Sequence, residues 1–338
     1  MKKLVIHIGY PKTATTSLQL NLFADLHKAG KIEYLNHLND DTSCYLGKFY
    51  VKSILQSIVS DKNITKKEID KELGSLSKIE KKISVISAET LSSLYPGFSF
   101  SLINSNAKQN AKKFKDAFSP YFDSIEVLVG IRAQKTLLRG CYKQWYNLIT
   151  GENPKFCKIE NWLKTNIFDT KETNNLGFNF HTLVNEYVNI FGANNTHILI
   201  HEDLKNDKTC YFEKLSRIFD FNTSFIEKSL TKEEQNASLH TSGGVATQNA
   251  TVGQLITQPF RHIIRRHFND YTFKVLKKTY HCIVPESISQ KATSKKAIIR
   301  DLTTEEKELI LEKYCESNLK LIELLNLDKN KMKKYGYI

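Results

Sequence analysis

The sequence predicts an α/β fold: a parallel sheet flanked by helices. Two patterns carry that reading. Four short apolar runs, residues 4–8, 83–87, 125–131 and 197–201, are each bounded by turn signals. Segments with helical apolar spacing separate and follow them, at 17–28, 67–76, 107–118, 135–148, 180–191 and 209–219. Short apolar strands alternating with helices imply βαβ units, with the strands buried under helices on both faces. A third observation agrees with this. Ligands of such sheets sit beyond the carboxyl ends of the strands, and the residues with the most chemical character here follow strand ends.

The first strand runs into the most informative segment of the chain. After Gly9 come Tyr10, Pro11, Lys12, Thr13, Ala14, Thr15, Thr16 and Ser17, and an apolar helical pattern begins at Leu18. That order reads as strand, tight loop and helix N-terminus. Such a loop turns backbone N–H groups and the positive end of a helix dipole toward one point, which suits a phosphate or a similar anion. Lys12 adds a point charge and the hydroxyls add donors. The loop is close to a nucleoside-triphosphate P-loop but does not match it. G-x-x-x-x-G-K-[ST] counted from Gly9 needs Gly-Lys where Ala14 and Thr15 stand, and the lysine is already spent at position 12. The plain alternative is a threonine-rich turn that caps a helix. An alanine at position 14 implies that the loop needs no positive φ there.

The second strand is followed by Ala88, Glu89, Thr90 and Leu91; the third ends in Gly130, Ile131 and Arg132 and feeds straight into a helix that carries Arg139, Gly140, Tyr142 and Lys143. An arginine at a strand end is placed to grip a phosphate through its planar fork, or else to bridge a carboxylate. Glu89 is placed to act as a base or to favour a helix N-terminus. His7 alternates with apolar residues and reads as a satisfied core histidine. Further on, Glu202 and Asp203 follow the fourth strand and read as ordering a loop or helix start. Residues 303–326 form a helix. Thr303 and the glutamates after Thr304 make its cap, and Leu309, Ile310, Tyr314, Leu319, Leu321, Ile322 and Leu325 make its apolar face.

Composition limits the function classes. With 338 residues, 41% of them hydrophobic, the chain can bury a large core. No internal repeat or low-complexity linker divides it, so one domain, 1–338, is expected. No apolar run is long enough to cross a membrane, and the first residues are too quickly polar for a signal peptide. The six cysteines, Cys44, Cys141, Cys157, Cys210, Cys282 and Cys315, form no C-x-x-C pair. That spacing predicts reduced thiols in a cytoplasm, with neither a disulfide framework nor a metal site. A formal charge of +13 predicts an anionic partner, whether nucleic acid, a membrane surface or a small polyanion.

The segment from Tyr10 to Gln19 resembles the 5′-phosphosulfate loop of sulfotransferases that use 3′-phosphoadenosine 5′-phosphosulfate (PAPS), whose usual pattern is P-K-[ST]-G-T-[TS]. Ala14 replaces the glycine. The stretch from Arg132 to Tyr142 is similar to the same family's 3′-phosphate motif, with Gly140 in place of a serine; Arg139 or Lys143 is a candidate to compensate. Ser87, Glu89 and Leu91 echo a segment that holds the general base in bacterial members. Fainter likenesses lie at 198–204, 234–239 and 316–321. The resemblance implies a P-loop-like nucleotide-binding fold and transfer of a sulfuryl group from PAPS to a hydroxyl, without a metal. It assigns PAPS binding to Pro11, Lys12, Thr13, Ala14, Thr15, Thr16, Ser17, Arg132 and Gly140, and catalysis to Lys12 and Glu89. A carbohydrate or glycolipid acceptor would lie against inserts at about 30–80 and 145–180, with a helical elaboration at about 255–330. A nucleic-acid partner is not expected on this reading, and the basic stretch 259–268 offers a peripheral contact with the inner membrane surface. Two rivals stand beside it. One is a nucleotide kinase or triphosphatase, which would depend on magnesium. The other is a nonenzymatic basic protein that binds nucleic acid or anionic membrane, with a steep salt dependence.

Overall fold

A computed structural model of the chain describes residues 1–37, 51, 54–55, 58, 65–87, 107–169, 178–231, 245–246, 250–251, 292–293 and 297–338. The fold is α/β. Five parallel strands form one sheet: β1 (Lys3–Gly9), β2 (Glu33–His37), β3 (Ile83–Ser87), β4 (Ser124–Ile131) and β5 (Thr196–Ile200), in the order β2-β3-β1-β4-β5. β1 is therefore central, and the order reverses direction at β1, between β3 and β4. Crevices that bind ligands open at such reversals.

Helix α1 follows β1 and covers Thr15–Ser17, a wider π-helical stretch Leu18–Phe23, and Ala24–Lys28. Next come α2 (Lys66–Leu76), α3 (Ala107–Phe118), α4 (Gln134–Glu152), α5 (Ile159–Leu163), α6 (Phe180–Phe191), α7 (Lys208–Phe219), α8 (Thr223–Thr231), α9 (Thr304–Leu325) and α10 (Lys329–Tyr335). The pleat sends alternate β1 residues to opposite faces. Leu4, Ile6 and Ile8 enter a core built with α3, α4, α6 and α9. Val5 enters a second core with Leu18, Leu22 and Phe23 of α1 and with Tyr211, Phe212 and Leu215 of α7. Both faces are thus covered, as uninterrupted apolar strands require. Helix α9 starts as expected: Thr303 accepts from the Glu306 amide, and the Glu306 side chain accepts from the Thr303 amide. No helix among the described residues is long and apolar enough to cross a membrane.

Two expectations need correction. Strand β2 falls inside the region 30–80 taken as an insert. It is an edge strand of five residues, Glu33, Tyr34, Leu35, Asn36 and His37, whose register with β3 slips between Tyr34 and Asn36. So short and polar a run gives no strand periodicity. On α9, Leu309 is 41% exposed, while Ile310, Tyr314, Leu321 and Ile322 are buried together with the polar Ser317 and Asn318. The buried stripe is narrower than the apolar pattern suggests.

His7 sits between β1 and α1. Gln19 Nε2 donates to Ser87 Oγ at 2.8 Å, and that hydroxyl lies 2.7 Å from His7 Nδ1. With Ser87 donating to Nδ1, the neutral ring carries its proton on Nε2. That atom is buried and has no hydrogen-bond partner among the described residues, so the ring is only half satisfied. Burial lowers the His7 pKa to about 3. The unfolded chain takes up a proton below about pH 6.5 and the folded chain does not, so stability is complete above that pH and is lost as the pH falls toward 3. At pH 5 the cost is about 2 kcal/mol, at 1.36 kcal/mol per pH unit. Urea unfolding of the wild type and of His7→Gln should diverge in pH dependence by about that amount between pH 7.5 and 5. Parallel curves would contradict a neutral buried ring.

Candidate functional site

The loop after β1 folds back over the ends of β1 and β4, and two glycines allow it. Gly9 and Gly130 are register partners on the adjacent strands. A Cβ on Gly130 would lie 2.8 Å from Thr13 Oγ1, and a Cβ on Gly9 would collide with Thr15 Cγ2. The Tyr10 amide donates to the Gly130 carbonyl at 3.1 Å, which extends the β1–β4 pairing one residue past the strand. Thr13 Oγ1 then donates to the Tyr10 carbonyl at 2.5 Å, and the Leu18 amide makes the first helical bond to the Ala14 carbonyl. Pro11, Thr13 and Thr15 are buried; Ala14 and Ser17 are half-buried; Lys12 and Thr16 are exposed.

Lys12 has φ 64° and Ala14 has φ 65°. The inference that an alanine at 14 excludes positive φ is therefore wrong. Each left-handed L-residue costs roughly 1–2 kcal/mol, so the loop holds its shape against local preference. It does so because its side chains and carbonyls are gripped from elsewhere. A helix start leaves its first amides without intrahelical partners, and Ala14 at the cap has no side chain to take one.

Arg132 reaches this loop from the end of β4. Its Nη1 donates to the Lys12 carbonyl at 3.1 Å and its Nε to Thr136 Oγ1 at 3.0 Å. Two motifs separated by 120 residues thus meet. The expected alternative, a carboxylate bridge, is not what Arg132 makes: its hydrogen-bond partners are a carbonyl and a hydroxyl. Burial lowers its pKa and the nearby Glu202 opposes that shift; an arginine stays charged throughout. Gly140, on α4 one turn past Thr136, faces the Lys12 stem, with a hypothetical Cβ 3.2 Å from Lys12 Cγ. The space a serine side chain would take is filled by the lysine. Arg139, one of the candidates to compensate, places its Nη2 2.7 Å from Asp301. Cys141 lies near Lys12 and Arg132, yet burial pushes its thiol up to about 12, which keeps it neutral and unreactive.

Sequence reasoning missed three contributors. Gly9 and Gly130 act through the close approach just described, and Tyr337 arrives from the C-terminus. Its hydroxyl donates to Glu202 Oε2 at 2.9 Å, while Glu202 Oε1 accepts from the Ala133 amide at 3.0 Å. Glu202 was expected to order a loop or helix start; from just past the end of β5 it accepts from the amide at the start of α4. Glu89 and the basic stretch 259–268 lie outside the described residues. A surface hollow lined by Glu126, His197, Lys214, Arg217, Leu325 and Leu327 opens at the amino ends of β4 and β5 and shares no residue with the loop.

No family model and no curated protein matches the chain. Among solved structures, the chain is similar to a sulfotransferase from Alicyclobacillus acidocaldarius, with a TM-score of 0.48 and 9% identity, over 98% of this chain and 99% of that one. With so distant a likeness, the functional reading depends on the site itself.

Ala14→Gly removes one left-handed penalty and should stabilise the protein by about 1 kcal/mol, measured as a shift in denaturation midpoint. Gly9→Ala should destabilise it by about 1–3 kcal/mol through overpacking against Thr15. A stabilising Gly9→Ala, or a destabilising Ala14→Gly, would contradict this loop geometry.

Proposed function

We propose that the chain is a sulfotransferase that moves a sulfuryl group from PAPS to an acceptor hydroxyl. The observation that carries the reading is the meeting of Arg132 with the Lys12 carbonyl. It joins a helix N-terminus, a lysine and an arginine into one cationic site at the carboxyl edge of the central strands, where two phosphate groups of one nucleotide would find separate holds.

On this reading the amides of residues 13–17 hold the 5′-phosphosulfate at the start of α1, where the dipole favours negative charge. Thr16 adds its exposed hydroxyl. Thr13 contributes only its amide, because its hydroxyl is committed to the Tyr10 carbonyl. Lys12, its stem lying against Gly140, neutralises the charge that builds on the leaving phosphate. Arg132 holds the 3′-phosphate. One bond forms, from the acceptor oxygen to sulfur; one breaks, from sulfur to the 5′-phosphate oxygen; the acceptor proton passes to the Glu89 carboxylate. The catalysis is positioning and electrostatic stabilisation. The carbohydrate or glycolipid nature of the acceptor is supported by the motif resemblance alone.

Calorimetric titration tests this reading. 3′-Phosphoadenosine 5′-phosphate should bind more tightly than ATP, without magnesium, and Lys12→Ala and Arg132→Ala should each weaken it at least tenfold. Glu89→Ala should keep that affinity and lose turnover. Equal or tighter ATP binding that requires magnesium would replace this reading with a kinase.

A further inference from the structure

We infer that Tyr337 is a positioning residue for Arg132 that acts by restraining the competing carboxylate of Glu202, and that the C-terminal tail so keeps the arginine fork open for an anion. The inference rests on the reading of Arg132 as a phosphate ligand. It begins from an electrostatic conflict. Arg132 is half-buried, and the carboxylate of Glu202 is close enough to favour its charged form. An arginine and a carboxylate so placed would ordinarily close into a bidentate pair, and that pair would occupy the nitrogens an incoming phosphate needs. Here no ion pair within 4 Å forms between them; Arg132 spends Nη1 on the Lys12 carbonyl and Nε on Thr136.

Both Glu202 oxygens are held elsewhere. Oε1 accepts from the Ala133 amide, at the start of a helix whose own cap residue has no side-chain acceptor and whose first turn has no acidic residue. Oε2 accepts from the Tyr337 hydroxyl. Tyr337 is fully buried, its carbonyl accepts from Asn318 Nδ2 at 2.7 Å, and its amide donates to the Met332 carbonyl at 3.0 Å. Asn318 in turn exchanges amide hydrogen bonds with Gln134, the first residue of α4, at 3.0 Å each way. Lys331 ties α10 to Asp203 at 2.8 Å and to Asp207 at 3.0 Å. The tail is thus locked to α4, to α9 and to the loop after β5, and the phenol is aimed at one carboxylate oxygen. Removing that phenol frees Oε2 to turn toward Arg132.

The geometry separates competition from simple support. If Tyr337 only supported the fold, any further change at Glu202 would add to the damage. If it restrains the carboxylate, then removing the negative charge should cure the loss. The test uses the full chain and titrates 3′-phosphoadenosine 5′-phosphate and adenosine 5′-phosphate, the second lacking the 3′-phosphate that Arg132 would hold. Tyr337→Phe should lower affinity for the bisphosphate about tenfold and leave the monophosphate affinity within twofold. Glu202→Gln alone, which keeps an oxygen for the Ala133 amide, should bind the bisphosphate at least as well as wild type. The double variant Tyr337→Phe/Glu202→Gln should recover most of the loss. Unchanged discrimination in Tyr337→Phe, or a double variant weaker than both singles, would overturn the inference while the Arg132 reading stands. A wild type that does not discriminate between the two nucleotides would overturn both.

Discussion

Everything at the site depends on two hydrogen atoms where side chains would normally be. Gly9 and Gly130 stand side by side at the ends of the two central strands, and the loop after β1 lies over them. Thr15 occupies the space above Gly9 and Thr13 the space above Gly130. A side chain at either place would meet one of those threonines, so a threonine would have to shift, and both belong to the turn that carries Lys12 and Ala14. The strand order makes this pair central, because β1 has β3 on one side and β4 on the other. The crevice that results lies where a parallel sheet of this order exposes the ends of its strands.

The loop stores strain, and its anchors explain how. Lys12 and Ala14 are both left-handed, on either side of a buried threonine. A turn made of alternating conformations of this kind points successive N–H groups to one side, which is how backbone concavities for anions are built. Two L-residues would leave that conformation if nothing held them. Thr13 holds the turn through the Tyr10 carbonyl, Arg132 holds it through the Lys12 carbonyl, and the sheet holds it through Tyr10. The strain is therefore balanced by contacts from two strands and does not have to be relieved by glycine.

Most of the sheet was legible in the sequence because its central strands are buried on both faces and read as apolar runs. Helices α1 to α4, α6, α7 and α9 were legible from their apolar spacing, and α3 and α6 begin and end where that spacing predicts, whereas α5, α8 and α10 were not anticipated. Edge strand β2 was not legible, since half of it is polar and its register is irregular. The site was legible as two local motifs, the loop and the strand-end arginine. Their meeting was not, because it depends on β4 lying next to β1, a pairing no local pattern encodes. Tyr337 was invisible for a stronger reason: its partner Glu202 is 135 residues away, and a lone tyrosine near a chain end carries no signal of what it touches. Ala14 misled because an alanine is a poor witness to backbone conformation when tertiary contacts decide it.

The treatment of the arginines is the best guide to which cation is reserved. Arg300 is held by Glu160 and Glu306, and Arg139 by Asp301. Those charges are paired with carboxylates of the same chain at or near its surface. Arg217 rests on the carbonyl of its own helix at the surface. Arg132 differs from all three. It is drawn partly out of water, it is bonded only to neutral acceptors, and the carboxylate near it is restrained by a backbone amide and a phenol. A cation taken from water without a paired charge costs free energy, and the fold could have relieved that cost with Glu202. Instead each oxygen of that carboxylate accepts a hydrogen bond elsewhere, and on the proposed reading the charge of Arg132 is kept for a group outside the chain. An anion at the carboxyl edge of β1 and β4 is the group that would complete it.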